Sequence, residues 1–141
     1  MDYMREIRDL ESQRNEIKVA LDDVCSKFHR NAMEAIGLGL YVNNGYTVCG
    51  EARLLTQNAN LVERVNMLGQ KVSSLNDEFT DVDYRLNNLY HAKFEELRQQ
   101  FTQNLLSTNN IERYEQDFRL ALNDRRAGDF LEELQHMLLP R

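Results

Sequence analysis

From Leu61 to Leu89 the apolar side chains return at alternating steps of four and three: Leu61, Val65, Leu68, Val72, Leu75, Phe79, Val82, Leu86 and Leu89. A mean step of 3.5 keeps them on one side of an α-helix, whereas a strand needs a step of two. The only proline is Pro140, next to the end of a 141-residue chain, so the residue that helices tolerate least interrupts nothing. These two facts predict an all-α fold built on a long antiparallel helical hairpin or coiled coil, with two short C-terminal helices.

The first segment carries a matching stripe: Tyr3, Ile7, Leu10, Arg14, Ile17, Leu21, Val24 and Phe28. It fades through Asn31, Ala35 and Leu38, and the first helix is predicted over 2–36. Residues 37–50, GLGLYVNNGYTVCG, hold four of the six glycines. Asn44-Gly45 suits a tight type I′ turn with positive φ at both central residues, and Leu40-Tyr41-Val42 and Tyr46-Thr47-Val48 flank it with strand-favouring residues. A short β-hairpin and an irregular glycine-rich loop both fit. Either ends the helix and lets the chain reverse.

The second helix is predicted over 51–106, which at 1.5 Å per residue is roughly 80 Å long. Its stripe begins at Leu54 and passes through Asn58. Past Leu89 the register slips by a step of four to Tyr90, Phe94, Leu97, Phe101 and Leu105, a stutter that relaxes a supercoil. Residue i of the first helix then faces about residue 87 − i, leaving residues 85–106 as an overhang. Residues 107–141 are expected to fold back on it as two short helices. One is predicted over 110–125 after a break at 107–110, with Asn109 and Glu112 as a capping box. It presents Ile111, Tyr114, Phe118, Ala121 and Leu122, and ends at Ala127-Gly128. The last is capped by Asp129 with Glu132, presents Phe130, Leu131, Leu134, Met137 and Leu138, and stops at Pro140.

Leu55, Val62, Met67, Tyr84 and Tyr90 lie outside the narrow stripe that two helices hide, an excess that calls for further helices from a second copy or another protein. The partner-binding residues predicted on this basis are Leu61, Val65, Leu68, Val72, Leu75, Phe79, Val82, Leu86, Leu89, Tyr90, Phe94, Leu97 and Phe101. The aromatics Tyr84, Tyr90, Phe94, Phe101, Tyr114 and Phe118 serve either as the core of the folded-back end or as anchors for a partner. Asn58 reads as a register-fixing polar group or as a wet position near the loop, and Arg14 as a paired or snorkelling cation.

No catalytic residue, cofactor or metal ligand is predicted. His29, His91 and His136 lack ligand-spaced neighbours, and Glu95-Glu96 and Glu132-Glu133 point about 100° apart on a helix. No phosphate-cradling glycine motif occurs. The net charge of −6, with both signs interleaved, argues against a nucleic-acid face. No apolar run approaches the ~20 residues of a membrane span. Cys25 and Cys49 read as reduced thiols, with a bridge between the hairpin arms as the alternative. The N-terminus MDYMREIRDLE has no apolar leader core. A cytoplasmic protein is expected, or one exported without a cleaved signal peptide.

The stretch Val48-Cys49-Gly50-Glu51-Ala52 resembles the Trp-x-Gly-x-Ala turn of the WXG family, the small ESX-type helical-hairpin proteins of type VII secretion. Gly50 and Ala52 match, and Val48 stands where the family has tryptophan. The likeness covers residues 1–100 by topology. It implies a non-enzymatic protein that pairs side by side with another helical protein, as a targeting partner or chaperone for a secreted effector such as an LXG toxin. A cytosolic structural coiled-coil adaptor or homodimer, or an acidic secretion chaperone of another system, is the alternative.

Overall fold

The structure, a computed structural model, describes residues 2–103 and 108–138. It is nearly all-α, 85% helical with five helices among the described residues. The elements are α1 (Tyr3–Gly37), β1 (Tyr41–Val42), β2 (Val48–Cys49), α2 (Ala52–Gln57), α3 (Ala59–Gln103), α4 (Thr108–Asn123) and α5 (Ala127–Leu138). The long pair is α1 and α3, and α4 and α5 are the short C-terminal helices.

The chain forms two compact units. Unit 1 contains residues 1–13 and 82–141, and unit 2 contains residues 14–81. This division cuts through both long helices.

In unit 1, α4 and α5 pack on the C-terminal part of α3 and the first turns of α1. Its core holds Met4, Ile7, Leu10, Leu86, Tyr90, Phe94, Leu97, Phe101, Phe118, Ala121, Leu131 and Leu134. Aromatic rings tie the elements: Phe94 stacks on Phe118 with centroids 4.4 Å apart, and Phe101 stacks on Tyr114 at 4.9 Å. Offset ring pairs of this kind add to the apolar burial. Of the aromatics of the C-terminal half, Tyr90, Phe94, Phe101 and Phe118 are therefore core, Tyr114 is half-buried and Tyr84 is 67% exposed. Met137, expected on the apolar side of the last helix, is also exposed.

The α4–α5 corner departs from expectation. Arg125, at φ 57°, adopts the left-handed conformation after α4, and Arg126 N–H donates to Ala121 O at 2.9 Å. This is the left-handed helix ending usually given to glycine, here taken by an arginine. Ala127 and Gly128 begin α5 instead of ending α4. Asp129 is then inside the first turn, where its charge still suits the helix dipole, and its carboxylate accepts from Arg8 at 2.8 Å. Asn109 lies within α4. Its side chain, the 104–107 connection with Leu105, the Leu138 side chain and Pro140 lie outside the described residues.

In unit 2, α1 ends where Gly39 takes φ 95°, with Leu40 N–H donating to Ala35 O at 3.1 Å and Gly39 N–H to Ile36 O at 3.0 Å. This is a Schellman ending. A small β-hairpin follows, pairing Tyr41 with Cys49 and Val42 with Val48. The expected type I′ turn at Asn44-Gly45 does not form. Tyr46 alone in the loop takes positive φ, 60°, and the loop is the three-residue kind that ends in a left-handed residue. Asn43 directs this choice: its Oδ1 accepts from Gly45 N–H and Thr47 N–H, both at 3.0 Å.

The predicted second helix is broken at Asn58, which separates α2 from α3 with φ −118°. Its side-chain Nδ2 and its backbone N–H both donate to Leu54 O, at 2.9 and 3.1 Å. A side chain that bonds its own backbone competes with helix continuation. Asn58 is therefore a break between helices, with its amide already partnered inside the chain.

Candidate interaction surface

The predicted stripe divides between core and edge. Leu61, Val65, Val72, Val82, Leu86, Tyr90, Phe94, Leu97 and Phe101 are buried in the chain itself, while Leu68, Leu75, Phe79 and Leu89 are half-buried. In unit 1 the buried stripe residues from Val82 to Phe101 face α1, α4 and α5, with Leu89 half-buried beside a surface cleft, and the other half-buried positions, Leu68, Leu75 and Phe79, lie in unit 2.

The unit 2 edge is positioned from the hairpin end. Ala32, Ala35, Leu40, Val48, Leu61 and Val65 form a small cluster, with Phe28, Val42, Leu54, Leu55 and Val62 packed on it. Asn66 Oδ1 accepts from Val48 N–H at 2.8 Å and holds the hairpin against α3. The Tyr46 ring meets Phe28 edge-on at 5.5 Å. Gly69 completes the fit, because a Cβ there would run into the carbonyl and Cβ of Tyr46. Beyond this hairpin-covered end, Ile17 and Val72 are buried, but Leu21, Val24, Leu75 and Phe79 are half-buried. Two helices leave the flanks of an a/d seam open in this way.

Charge is graded along the same unit. Ala32 and Ala35 meet Leu61 and Val65, so the pairing runs antiparallel and residues 14–24 lie toward 73–81. Those two segments together carry net −4, from Glu16, Asp22, Asp23, Asp77, Glu78 and Asp81 against Arg14 and Lys18. Residues 25–37 and 51–72 carry net +2, from Lys27, Arg30, Arg53, Arg64 and Lys71 against Glu34, Glu51 and Glu63. On α3, Arg64, Lys71 and Glu78 recur every seven residues, which places them in one row beside the seam.

Unit 1 holds a polar cluster that sequence reasoning missed. Arg8 donates to Glu11 at 2.9 Å, to Asp129 at 2.8 Å and to Glu132. Burial alone would lower its pKa, but the bonds to Glu132, Asp129 and Glu11 outweigh it, and the guanidinium is held more firmly protonated. Tyr90 donates its hydroxyl to Glu11 Oε2 at 2.6 Å. The expected register puts Glu11 opposite Asn76. The actual partner is fourteen positions later, because the hairpin and α2 take up chain before α3 starts. Gly128 lies against Glu11, whose Oε1 a Cβ would approach at 2.8 Å. Lys93 is 6% exposed and donates to Glu96 at 2.8 Å. The bonds of Arg8 to Asp129 and Glu132 and of Tyr90 to Glu11 join helix to helix and have the character of struts, while Arg8–Glu11 and Lys93–Glu96 lie within one helix.

Surface clefts in unit 1 are lined by mixed charge. One of about 460 Å³ lies between Glu6, Asp9 and Leu10 of α1 and Arg85, Asn88 and Leu89 of α3. Among the described residues no group of three or more His, Cys, Asp or Glu is placed to hold a metal ion, and no helix is long and apolar enough to cross a membrane. Cys25 and Cys49 are free thiols.

The fold thus defines the class of the molecule: a helical-hairpin protein with a closed helical unit and a unit whose seam is partly open. Comparison with protein-family models, curated proteins and solved structures finds no match to this chain.

Proposed function

We propose that this chain is a non-enzymatic interaction protein that pairs side by side with another helical chain, a different protein or a second copy, along the seam of unit 2. The observation that carries the reading is the row Leu21, Val24, Leu68, Leu75 and Phe79, each half-buried. Completing its burial removes apolar area from water at about 25 cal/mol per Å². A helix laid along the row reproduces the knobs-into-holes contact that the heptad spacing already prepares.

The finer form of the proposal makes the chain a targeting partner or chaperone of a type VII secreted effector. It draws on Val48–Ala52, which spans the junction of β2 with α2, where the second arm of the hairpin begins.

Co-expression with the products of neighbouring genes, followed by affinity capture, tests the pairing. Capture of a specific helical partner that is lost with Leu75→Asp or Phe79→Asp, with helicity retained by circular dichroism, supports it. Capture indifferent to both substitutions overturns it. Recovery of the intact chain in culture supernatant together with that partner supports the secretion form.

A further inference from the structure

We propose that the occupant of the unit 2 seam is a second copy of this chain, laid antiparallel so that the acidic half of each copy covers the basic half of the other. The inference rests on the reading of that seam as a docking edge, and it names the partner.

Charge complementarity carries it. In unit 1 opposite charges meet across long sequence distances, as Arg8 does with Asp129 and Arg98 with Glu115. The ion pairs described in unit 2 are local: Lys27 with Asp23, four residues away, and Arg53 with Glu51. Taken with these pairs included, its charges separate lengthwise, net −4 over 14–24 and 73–81 and net +2 over 25–37 and 51–72. Like charges gathered on neighbouring helices repel. A partner relieves that repulsion when it presents the reverse order of charge along the same length.

A second copy turned end for end does so by symmetry. A two-fold axis across the middle of the unit makes an isologous contact in which each half meets the opposite half. The row Arg64, Lys71 and Glu78 then runs against its own reverse: Glu78 of each copy meets Arg64 of the other, two attractive pairs against the single Lys71–Lys71 contact at the axis. The half-buried Leu68, Leu75 and Phe79 close between the copies. A parallel arrangement stacks acid on acid and base on base, and is selected against by the same charges.

The test is light scattering of the full chain at micromolar to submillimolar concentration, with two double variants at exposed positions: Arg64→Glu with Lys71→Glu, and Asp77→Lys with Glu78→Lys. The wild type is expected to be a dimer. Each double variant is expected to raise the dissociation constant about tenfold or more at low salt, with helicity unchanged. An equimolar mixture of the two variants is expected to restore the dimer, because each supplies what the other lacks. A monomeric wild type overturns the proposal, as do double variants that dimerise like wild type or a mixture that stays monomeric. Leu75→Asp separates the two levels. A monomeric chain that binds a different helical partner and loses it with Leu75→Asp removes the second copy and leaves the docking edge. A dimer that survives Leu75→Asp removes both.

Discussion

Units 1 and 2 use the same heptad stripe on α3 and reach different ends. In unit 1, α1, α4 and α5 all border the stripe, and Leu86, Leu97 and Phe101 are fully buried. In unit 2 the hairpin and α2 cover only one end, through Leu40, Val48, Leu54 and Leu55, and the seam beyond stays half open at Leu75 and Phe79. A stripe on one helix is closed by the number of neighbours it meets. Three neighbours make a core, and one makes an edge. Charge differs as well: in the closed unit Arg8 and Arg98 reach carboxylates on other helices, and in the open one net charge changes sign along its length.

The largest expected effect tests whether unit 1 holds most of the packing energy. Phe101→Ala should cost about 3–5 kcal/mol, since it empties a buried site beside Tyr114. Urea denaturation followed by circular dichroism measures this, and a cost like that of a surface change would mean that the unit is not packed as described. Gly69→Ala should cost about 1–3 kcal/mol by pushing Tyr46 and the hairpin off α3. The same denaturation series checks it, and Phe28 and Tyr46 resonances should shift by NMR.

Arg8→Met should cost about 1–2 kcal/mol, a figure reduced because the guanidinium side chain is 38% exposed and solvent screens its pairs. If Arg8→Met were neutral while Glu11→Gln was not, the Tyr90–Glu11 bond would be the working strut. Leu75→Ala comes next, at about 1 kcal/mol in the isolated chain, because its site is only half-buried. Its cost should rise with protein concentration if the seam is occupied by another chain, since association adds to apparent stability. The charge reversals at Asp77 and Glu78 are smallest, within about 0.5 kcal/mol for the single chain. The comparison of the two units fails if Leu75→Ala and Phe101→Ala cost the same at every concentration.

Much of the architecture was legible because it depends on period alone. The spacing from Leu61 to Leu89 and from Tyr3 to Phe28 marks two helices, and the glycines of 37–50 mark the reversal between them. Local competition was harder to read. Asn58 sits in register with the seam, and only its bond to Leu54 O shows that it breaks the helix. Asn44-Gly45 has the composition of a type I′ turn, but Asn43 draws the loop into another form through Gly45 and Thr47. For the candidate surface, the stripe was legible as a row and illegible as a destination. Nothing in Phe94 or Phe101 distinguishes a side chain that meets α4 from one that waits for a partner.

What the sequence determined by itself was helix, stripe and reversal, because backbone propensity and a 3.5-residue period act between near neighbours. The tertiary structure decided which part of the stripe is closed, which residues bridge distant segments, and how charge is divided between the units. Those outcomes depend on pairs such as Arg8 with Asp129 and Phe94 with Phe118, whose members are far apart in the chain and acquire their meaning only when folding brings them within a few ångströms.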